Sequence, residues 1–224
     1  MIITIDGPAG AGKSTAARQL AKALDIAFLD TGATYRAATL AALRAGTDLE
    51  DEAALAQLVG GCDIRLEYEG DDLHVLLDGE DVSAEIRTAE VSDNSHFIAS
   101  APGVRKVLVA LQRQIGGQLA DAAGGAVSEG RDQGSVVFPD ADIKFFLQAD
   151  PEIRARRRHA ELADRGEQAE LEDVLNGIIT RDDRDSNRAI DPLIRPEGAV
   201  VVDTSHNEIA DTAAELIRQV EMRR

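Results

Sequence analysis

Short apolar runs alternate with segments of helical periodicity along most of this chain. The apolar runs are bounded by turn residues and predict buried strands at residues 2–5, 26–29, 126–128, 143–147 and 199–202. Apolar positions three or four residues apart predict helices at 12–24, 34–45, 52–58, 104–119, 151–165, 171–184 and 209–222. Because strands that alternate with helices form crossover units, this pattern predicts a mostly parallel sheet with helices on both faces.

One stretch departs from the alternation. Residues 63–68 and 73–77 are both strand-like and are joined by a short polar turn, which predicts an antiparallel hairpin. The composition also changes there, from mixed charge to nearly all acidic. We therefore expect an inserted subdomain at 63–102, with residues 1–62 and 103–224 forming the core.

Composition limits the class of protein. The chain has 224 residues, of which 44% are hydrophobic, enough for the core of one or two domains. The single cysteine, Cys62, cannot form an internal disulfide, and the four histidines lack the spacing of zinc ligands. No apolar run approaches the ~20 residues that a membrane span needs, and the N-terminus has no basic leader. We expect a cytoplasmic protein without a membrane partner.

The charge is large and unevenly distributed. The net charge of −17 argues against nonspecific binding of nucleic acid, which depends on lysine and arginine. Residues 48–93 carry fifteen acidic and two basic side chains, whereas nine of the twenty arginines lie between Arg154 and Arg195. Arginine favours planar, bidentate contact with phosphate or carboxylate. A local basic site for phosphate is therefore compatible with the acidic whole.

A phosphate-binding loop is predicted between the first strand and the first helix. The segment has the pattern Gly, four residues, Gly-Lys-Ser, and glycines there let backbone N–H groups surround a phosphate. Lys13 would reach the β and γ phosphates of a nucleoside triphosphate, and the Ser14 hydroxyl would bind Mg²⁺, partly through water. An ordinary turn rich in small residues is the alternative. The predicted phosphate-binding residues are Gly7, Pro8, Ala9, Gly10, Ala11, Gly12, Lys13, Ser14 and Thr15.

A phosphate loop alone does not define the reaction. A switch GTPase should also carry an Asn-Lys-x-Asp segment, and no asparagine in this sequence precedes a lysine. Asp121-Ala122-Ala123-Gly124 matches a short Asp-x-x-Gly pattern, but it follows a predicted helix, so we interpret it as a helix C-terminal turn.

Four further segments carry a specific resemblance. They read DTGATYR at 30–36, GEDVSAEIR at 79–87, EGRDQGSVVFPD at 129–140 and RDDRDSNRA at 181–189. Together with the phosphate loop they resemble the bacterial cytidylate kinases over essentially the whole chain. The resemblance implies a P-loop nucleoside monophosphate kinase fold. Its central five-stranded parallel sheet would be flanked by helices, with an antiparallel β/α acceptor-side insert and a helical lid at about 151–190.

The resemblance also implies an activity and its partners. The family transfers the γ-phosphoryl group of ATP to CMP or dCMP with the help of Mg²⁺, giving ADP and CDP or dCDP. ATP would therefore be the co-substrate and Mg²⁺ the cofactor. We expect a monomer that binds neither nucleic acid nor membrane.

Acceptor-binding residues follow from the same resemblance. Three arginines, Arg36, Arg131 and Arg188, would hold the α phosphate, because a nucleoside monophosphate is a dianion. Asp185 would face the ribose hydroxyls, helped by Arg181. The full set implied around CMP is Thr31, Tyr35, Arg36, Arg105, Arg131, Asp132, Arg181, Asp185 and Arg188. Lys13, Arg131 and Arg188, with Arg154 and Arg158 from the lid, are the implied catalytic residues.

Base recognition is implied for Arg131, Asp132 and Arg105. The exocyclic amine of cytosine donates to a carboxylate, whereas uracil presents a carbonyl there, so Asp132 would discriminate against UMP. Taken without the resemblance, Arg131 and Asp132 read as a strand-end ion pair and Tyr35 as a core residue. Thr31 stands where many relatives have serine, and His96 begins a stretch in which relatives commonly have serine, so the base contact there is open.

Two other functions remain open from the sequence. The chain could be a P-loop kinase for another small acceptor, such as UMP or shikimate. It could also be a noncatalytic nucleotide-binding module, for which preference for GTP and absence of turnover would be diagnostic.

Overall fold

The computed structural model describes residues 1–69, 72–164, 166–207 and 209–223, and this part of the chain contains two β-sheets. The larger sheet has five strands in the order β2-β6-β1-β7-β8, namely β1 (Ile2–Asp6), β2 (Ala27–Asp30), β6 (Ala126–Gly130), β7 (Ile143–Gln148) and β8 (Val200–Asp203). The smaller sheet is antiparallel, with β3 (Ile64–Glu69), β4 (Asp72–Leu77) and β5 (Glu80–Asp81) in sequence order.

Eight α-helices connect or flank these strands within the described ranges. They are α1 (Lys13–Leu24), α2 (Thr31–Ala45), α3 (Glu52–Gly61), α4 (Ala89–Ser100), α5 (Pro102–Ala123), α6 (Pro151–Asp164), α7 (Leu171–Asn187) and α8 (Ile209–Glu221). A short 3₁₀ turn lies at Glu85–Arg87, and a π-helical turn lies at Gln133–Val137. Arg165, expected at the end of a helix, and Gly70 and Asp71, expected in the hairpin turn, lie outside the described residues.

Strand β1 lies at the centre of the large sheet, pairs in parallel on both sides and is buried. It pairs in parallel with β6 on one side, where Ile3 lies opposite Val127, and with β7 on the other, where Ile5 lies opposite Phe145. These four side chains are fully buried in one core cluster, to which helices α1 and α8 also contribute. Nearly continuous apolar runs are typical of strands covered on both faces. The predicted fold class, a five-stranded parallel sheet with a separate small antiparallel sheet, is confirmed.

The chain forms two compact units. The first comprises Met1–Leu29 and the chain from Gly116 onward, and the second comprises Asp30–Ile115. The second unit has its own core, in which alanines of α2 pack with apolar residues of the antiparallel sheet and of α4 and α5. Neither unit coincides with residues 63–102, so the acceptor-side role expected for that range stays a prediction.

Two helices differ from the sequence expectation, and the end of a third agrees with it. Helix α2 begins at Thr31 rather than at residue 34, because the Asp30 carboxylate caps it by accepting the N–H of Ala33 at 3.1 Å. Helix α4 was not predicted, since its polar sequence gives a weak apolar pattern; the Thr88 hydroxyl caps it. Helix α5 ends at Ala123 and Gly124 has φ +72°, which confirms the predicted helix C-terminal turn.

Candidate active site

The predicted phosphate loop has the expected strand–loop–helix context. Strand β1 ends at Asp6, and helix α1 begins at Lys13, so Lys13, Ser14 and Thr15 form its first turn. At Gly7 the backbone has φ +147°, and a Cβ atom there would lie 2.1 Å from the carbonyl oxygen of Leu147. The loop can therefore pass strand β7 only with glycine at this position.

Lys13 lies over the loop in a buried position. Its Nζ donates to the carbonyl oxygen of Pro8 at 2.8 Å, and the residue is 5% exposed. Burial, together with the nearby positive charge of Arg131, lowers the pKa of Lys13 to about 7, although Glu129 acts in the opposite direction. A phosphate bound here would place a negative charge next to this amine and would stabilise its protonated form.

A hydroxyl and a carboxylate meet beside Lys13. The Ser14 Oγ donates to Oε1 of Glu129 at 2.7 Å, which joins the start of α1 to the end of β6. Both are hard oxygen ligands of the kind that Mg²⁺ prefers. In the described part of the chain, no group of three or more His, Cys, Asp and Glu side chains could hold a metal ion alone.

Two ion pairs fix the loop that follows β6 to the C-terminal end of α7. The Arg131 Nε lies 2.9 Å from Oδ2 of Asp185, and the Arg188 Nη2 lies 3.3 Å from Oδ2 of Asp132. Burial tends to lower the pKa of Arg131, but the charges of Asp185 and Glu129 outweigh it and raise that pKa above its ordinary value. The side chains of Arg188 and Asp132 are 8% and 4% exposed. Four of the predicted CMP-binding residues are thus brought together.

The two arginines predicted to lie in a lid occupy different environments. The Arg154 Nη1 pairs with Oδ2 of Asp182 at 2.6 Å and donates to the carbonyl oxygen of Ala9 in the phosphate loop at 3.0 Å. The Arg158 Nη1 instead pairs with Oε2 of Glu161 on its own helix at 3.1 Å, and its side chain is 41% exposed. Arg154 is therefore buried and bonded to the phosphate loop, whereas Arg158 lies at the surface.

Arg181 acts on the phosphate-loop lysine through its charge. Its positive charge contributes to lowering the pKa of Lys13, after burial and Arg131.

Other predicted acceptor residues lie in the second unit. The buried Arg105 donates from Nη1 to the Tyr35 hydroxyl at 2.9 Å, and its guanidinium lies 5.8 Å from the centre of the Tyr35 ring. The Arg36 Nη2 pairs with Oδ2 of Asp30 at 3.0 Å. The carbonyl oxygen of buried Thr31 accepts the hydroxyl of Thr34 at 2.8 Å. Tyr35 is therefore held by a polar contact as well as by packing.

His96 lies on α4 in the second unit. Its Nδ1 is 2.7 Å from the carbonyl oxygen of Asp93, and its ring centre is 4.1 Å from that of Phe97. Its part in base recognition stays a prediction.

Three carboxylates in the first unit were not singled out from the sequence. Asp6 and Glu129 lie at or next to the carboxyl ends of β1 and β6, which is where open parallel sheets bind ligands, so their positions carried a usable signal. No sequence signal marked Asp182, because its position opposite Arg154 depends on how α6 and α7 pack.

The fold and the site together define a class of protein. A phosphate loop that joins the first strand of a parallel five-stranded sheet to its helix, with buried arginines nearby, is characteristic of P-loop phosphotransferases. The cytidylate kinase family model matches residues 3–222, and the chain belongs to this family. The resemblance stated from the sequence is thus confirmed.

Individual relatives agree over the full length. A cytidylate kinase of Geobacter sp. (strain M21) is 44% identical over 223 residues, which cover 100% of this chain and 94% of the relative. A cytidylate kinase of Desulforamulus reducens is 48% identical, with 98% of this chain and 96% of the relative covered. Among solved structures, an uncharacterized protein from Eubacterium ventriosum has a TM-score of 0.51 at 11% identity, covering 99% of this chain and 98% of its own. That likeness concerns the fold alone.

Proposed function

We propose that this protein transfers the γ-phosphoryl group of ATP to CMP or dCMP, giving ADP and CDP or dCDP. Membership of the cytidylate kinase family over residues 3–222 supports this reaction. The structural observation that carries it is the closeness of the phosphate loop to the segment with the predicted acceptor arginines: Ser14, next to Lys13, donates to Glu129, two residues before Arg131, which pairs with Asp185. A donor-side cation and acceptor-side cations that share one region are what transfer between two phosphates requires. Kinase activity on UMP or shikimate, and a noncatalytic binding module, are not favoured.

On the donor side, the residues from Gly7 to Thr15 would bind the phosphates of ATP. Backbone N–H groups of the loop and of the first turn of α1 would surround the phosphates, and Lys13 would exchange its bond to Pro8 for one to phosphate. Ser14, with Glu129 nearby, fits a Mg²⁺ site that is completed by water and nucleotide phosphate. When bound, the metal would neutralise charge on the β and γ phosphates.

On the acceptor side, the predicted residues would receive a dianion. Arg131 pairs with Asp185, and Arg188 pairs with Asp132. The α phosphate of CMP would replace part of these contacts, with Arg36 as the third arginine. Asp185 and Arg181 would bind the ribose. Thr31, Tyr35, Arg105 and Asp132 complete the proposed nucleotide site.

Catalysis would rest on alignment and on charge neutralisation. The attacking oxygen of CMP is already anionic near neutral pH, so a strong general base is unnecessary. Lys13, Arg131 and Arg188 would neutralise the charge of the transferred group, and Arg154 would act from beside the loop. Arg158, which is exposed, can change partners when the lid closes without breaking a buried ion pair.

Location and assembly stay predictions. Among the described residues, no helix has the length and apolar character needed to cross a bilayer. We propose a cytoplasmic monomer that does not bind nucleic acid; size-exclusion chromatography with light scattering would test the monomer.

A panel of acceptors tests the function. Purified protein with ATP and Mg²⁺ would receive CMP, dCMP, UMP or shikimate in turn, and ADP release would be measured by a coupled assay. We expect stimulation by CMP and dCMP and much less by the others. Lys13→Met is the inactive control. Absence of stimulation by both cytidine nucleotides would overturn the proposal, and calorimetric preference for GTP over ATP would then support a binding module.

A further inference from the structure

Asp6 is a buried carboxylate that links the start of the phosphate loop to the turn after β6. It is the last residue of β1, directly before the phosphate loop, and is 0% exposed. Its Oδ1 accepts the backbone N–H of Gln133 at 2.7 Å, and its Oδ2 accepts that of Gly134 at 2.7 Å. Both oxygens are thus used to hold a segment far away in the sequence.

Burial of this group has a cost that its hydrogen bonds must offset. Burial raises the pKa of Asp6 to about 6, against the lowering effect of the two backbone N–H groups; Asp132 raises it further, and Lys13 lowers it. A valine or isoleucine would suit the core at lower cost if only packing were needed. The two hydrogen bonds therefore point to a requirement for the segment to lie in one place.

The segment held by Asp6 carries proposed acceptor residues. Gln133 and Gly134 begin the π-helical turn, and Arg131 and Asp132 directly precede them. The Gln133 side chain continues the network, since its Oε1 accepts the hydroxyl of Ser128 at 2.8 Å and its Nε2 lies 3.4 Å from Oδ1 of Asp132. Displacement of the turn would move Asp132 as well.

Packing leaves the turn little room to relax. A Cβ atom at Gly134 would lie 2.7 Å from the Oγ1 of Thr4, on the same strand as Asp6. The turn is therefore in close contact with β1 at Thr4 and is hydrogen-bonded to it at Asp6. Strand β1 in turn leads without interruption into the phosphate loop.

We propose that Asp6 is a positioning residue that sets Arg131 and Asp132 at a fixed distance from the phosphate loop. It does so through one covalent link, to Gly7, and two hydrogen bonds, to the turn that follows Asp132. This inference rests on the proposed function, because it concerns alignment of CMP with the γ phosphate. In-line transfer is sensitive to displacements of about 1 Å, which can lower rates by about 100-fold.

Asp6→Asn tests this role with little change in volume. An amide can accept one of the two backbone N–H groups, but its NH₂ group would face the other, so the turn must shift. We expect kcat/KM for CMP to fall about 10- to 100-fold, with a lower kcat. We expect the Kd for ATP in the absence of CMP to stay within about twofold of wild type. The preference for CMP over UMP should also narrow, as it should in Asp132→Asn.

Asp51→Asn is the matched control. Asp51 also accepts two backbone N–H groups, from Ala53 and Ala54, but it is exposed at the start of α3 in the other unit. The same chemical change there should leave the kinetics at wild-type values. A double-mutant cycle between Asp6→Asn and Asp132→Asn should be non-additive in kcat/KM for CMP, which a general loss of stability would not produce.

The outcomes separate the two proposals. Wild-type protein without CMP stimulation overturns the proposed function. Wild-type activity on CMP, combined with unchanged CMP kinetics in folded Asp6→Asn, overturns only the positioning role, as would a parallel loss of ATP affinity. Should Asp6→Asn fail to fold, Asp6→Ser, which leaves room for a bridging water, replaces it. Failure of both to fold would make Asp6 a folding residue and would also overturn the inference.

Discussion

Arg154 and Asp182 form an ion pair of 2.6 Å between neighbouring helices α6 and α7. The same guanidinium donates from Nε to the carbonyl oxygen of Ala149 at 2.8 Å and from Nη1 to that of Ala9 at 3.0 Å. One nearly buried side chain therefore connects the two helices of the proposed lid to the phosphate loop. A movement of these two helices would therefore displace the phosphate loop or break its bond to Arg154.

Arg154→Ala should destabilise the protein, whereas Arg158→Ala should not. Removal of Arg154 leaves Asp182 without its partner in a largely buried position, and we expect a loss of about 3 kcal/mol of unfolding free energy. Arg158 pairs with Glu161 at the surface, where a single ion pair contributes little. Urea denaturation of both variants measures the difference. Equal stabilities would contradict the structural role of Arg154.

Arg188→Ala should weaken CMP binding and turnover while sparing ATP. Arg188 pairs with Asp132 in a buried position, and its Nε donates to the carbonyl oxygen of Asp191. We expect kcat/KM for CMP to fall about 100-fold, with the Kd for ATP unchanged. Arg184→Ala is the matched control, because Arg184 is an exposed residue of α7, the helix that ends directly before Arg188. Normal CMP kinetics in Arg188→Ala would remove this residue from the acceptor site.

Gly7→Ala should abolish ATP binding or folding. The added methyl group would lie 2.1 Å from the carbonyl oxygen of Leu147, and φ at this position is +147°, where side chains are strained. Gly117→Ala is the control, because no heavy atom outside its own helix backbone lies within 4 Å of that Cβ. We expect the control to be neutral or stabilised by up to about 1 kcal/mol. Calorimetric ATP titration and thermal unfolding check both variants.

Asp6 should make stability depend on pH in a defined direction. Its pKa is about 6 in the folded protein and near 3.8 otherwise, so between these values the folded state binds more protons than the unfolded state. Its contribution to stability is therefore complete below about pH 4 and is lost as pH rises through about 6.

Comparison with Asp6→Asn isolates this contribution. Relative to the variant, wild type should lose about 1 kcal/mol of unfolding free energy between about pH 5 and about pH 7.5. Urea denaturation of wild type and Asp6→Asn at both pH values measures how the difference between their unfolding free energies changes with pH. A constant difference, or one of opposite sign, would show that Asp6 titrates near its ordinary pKa in the folded protein.

Much of the fold could be read from local sequence patterns. The five parallel strands follow from short apolar runs, because most residues of a strand buried on both faces are apolar. The phosphate loop is contiguous, so its glycines, Lys13 and Ser14 identify it without knowledge of distant contacts. Helix α4 escaped prediction because its sequence is polar and its start depends on the Thr88 cap.

The sequence by itself determined most of the elements, the phosphate loop and the family, because each depends on neighbouring residues or on motifs in fixed order. Only the tertiary structure decided the partners of the charged residues. Asp6 reaches Gln133 across 127 positions, and Arg154, from an arginine-rich segment, turns inward to Asp182. Such pairings depend on how strands and helices pack, and the same acidic or basic residue would suit solvent equally well. The sequence shows which acidic and basic residues are available to pair, but the packing of strands and helices determines which of these pairs form.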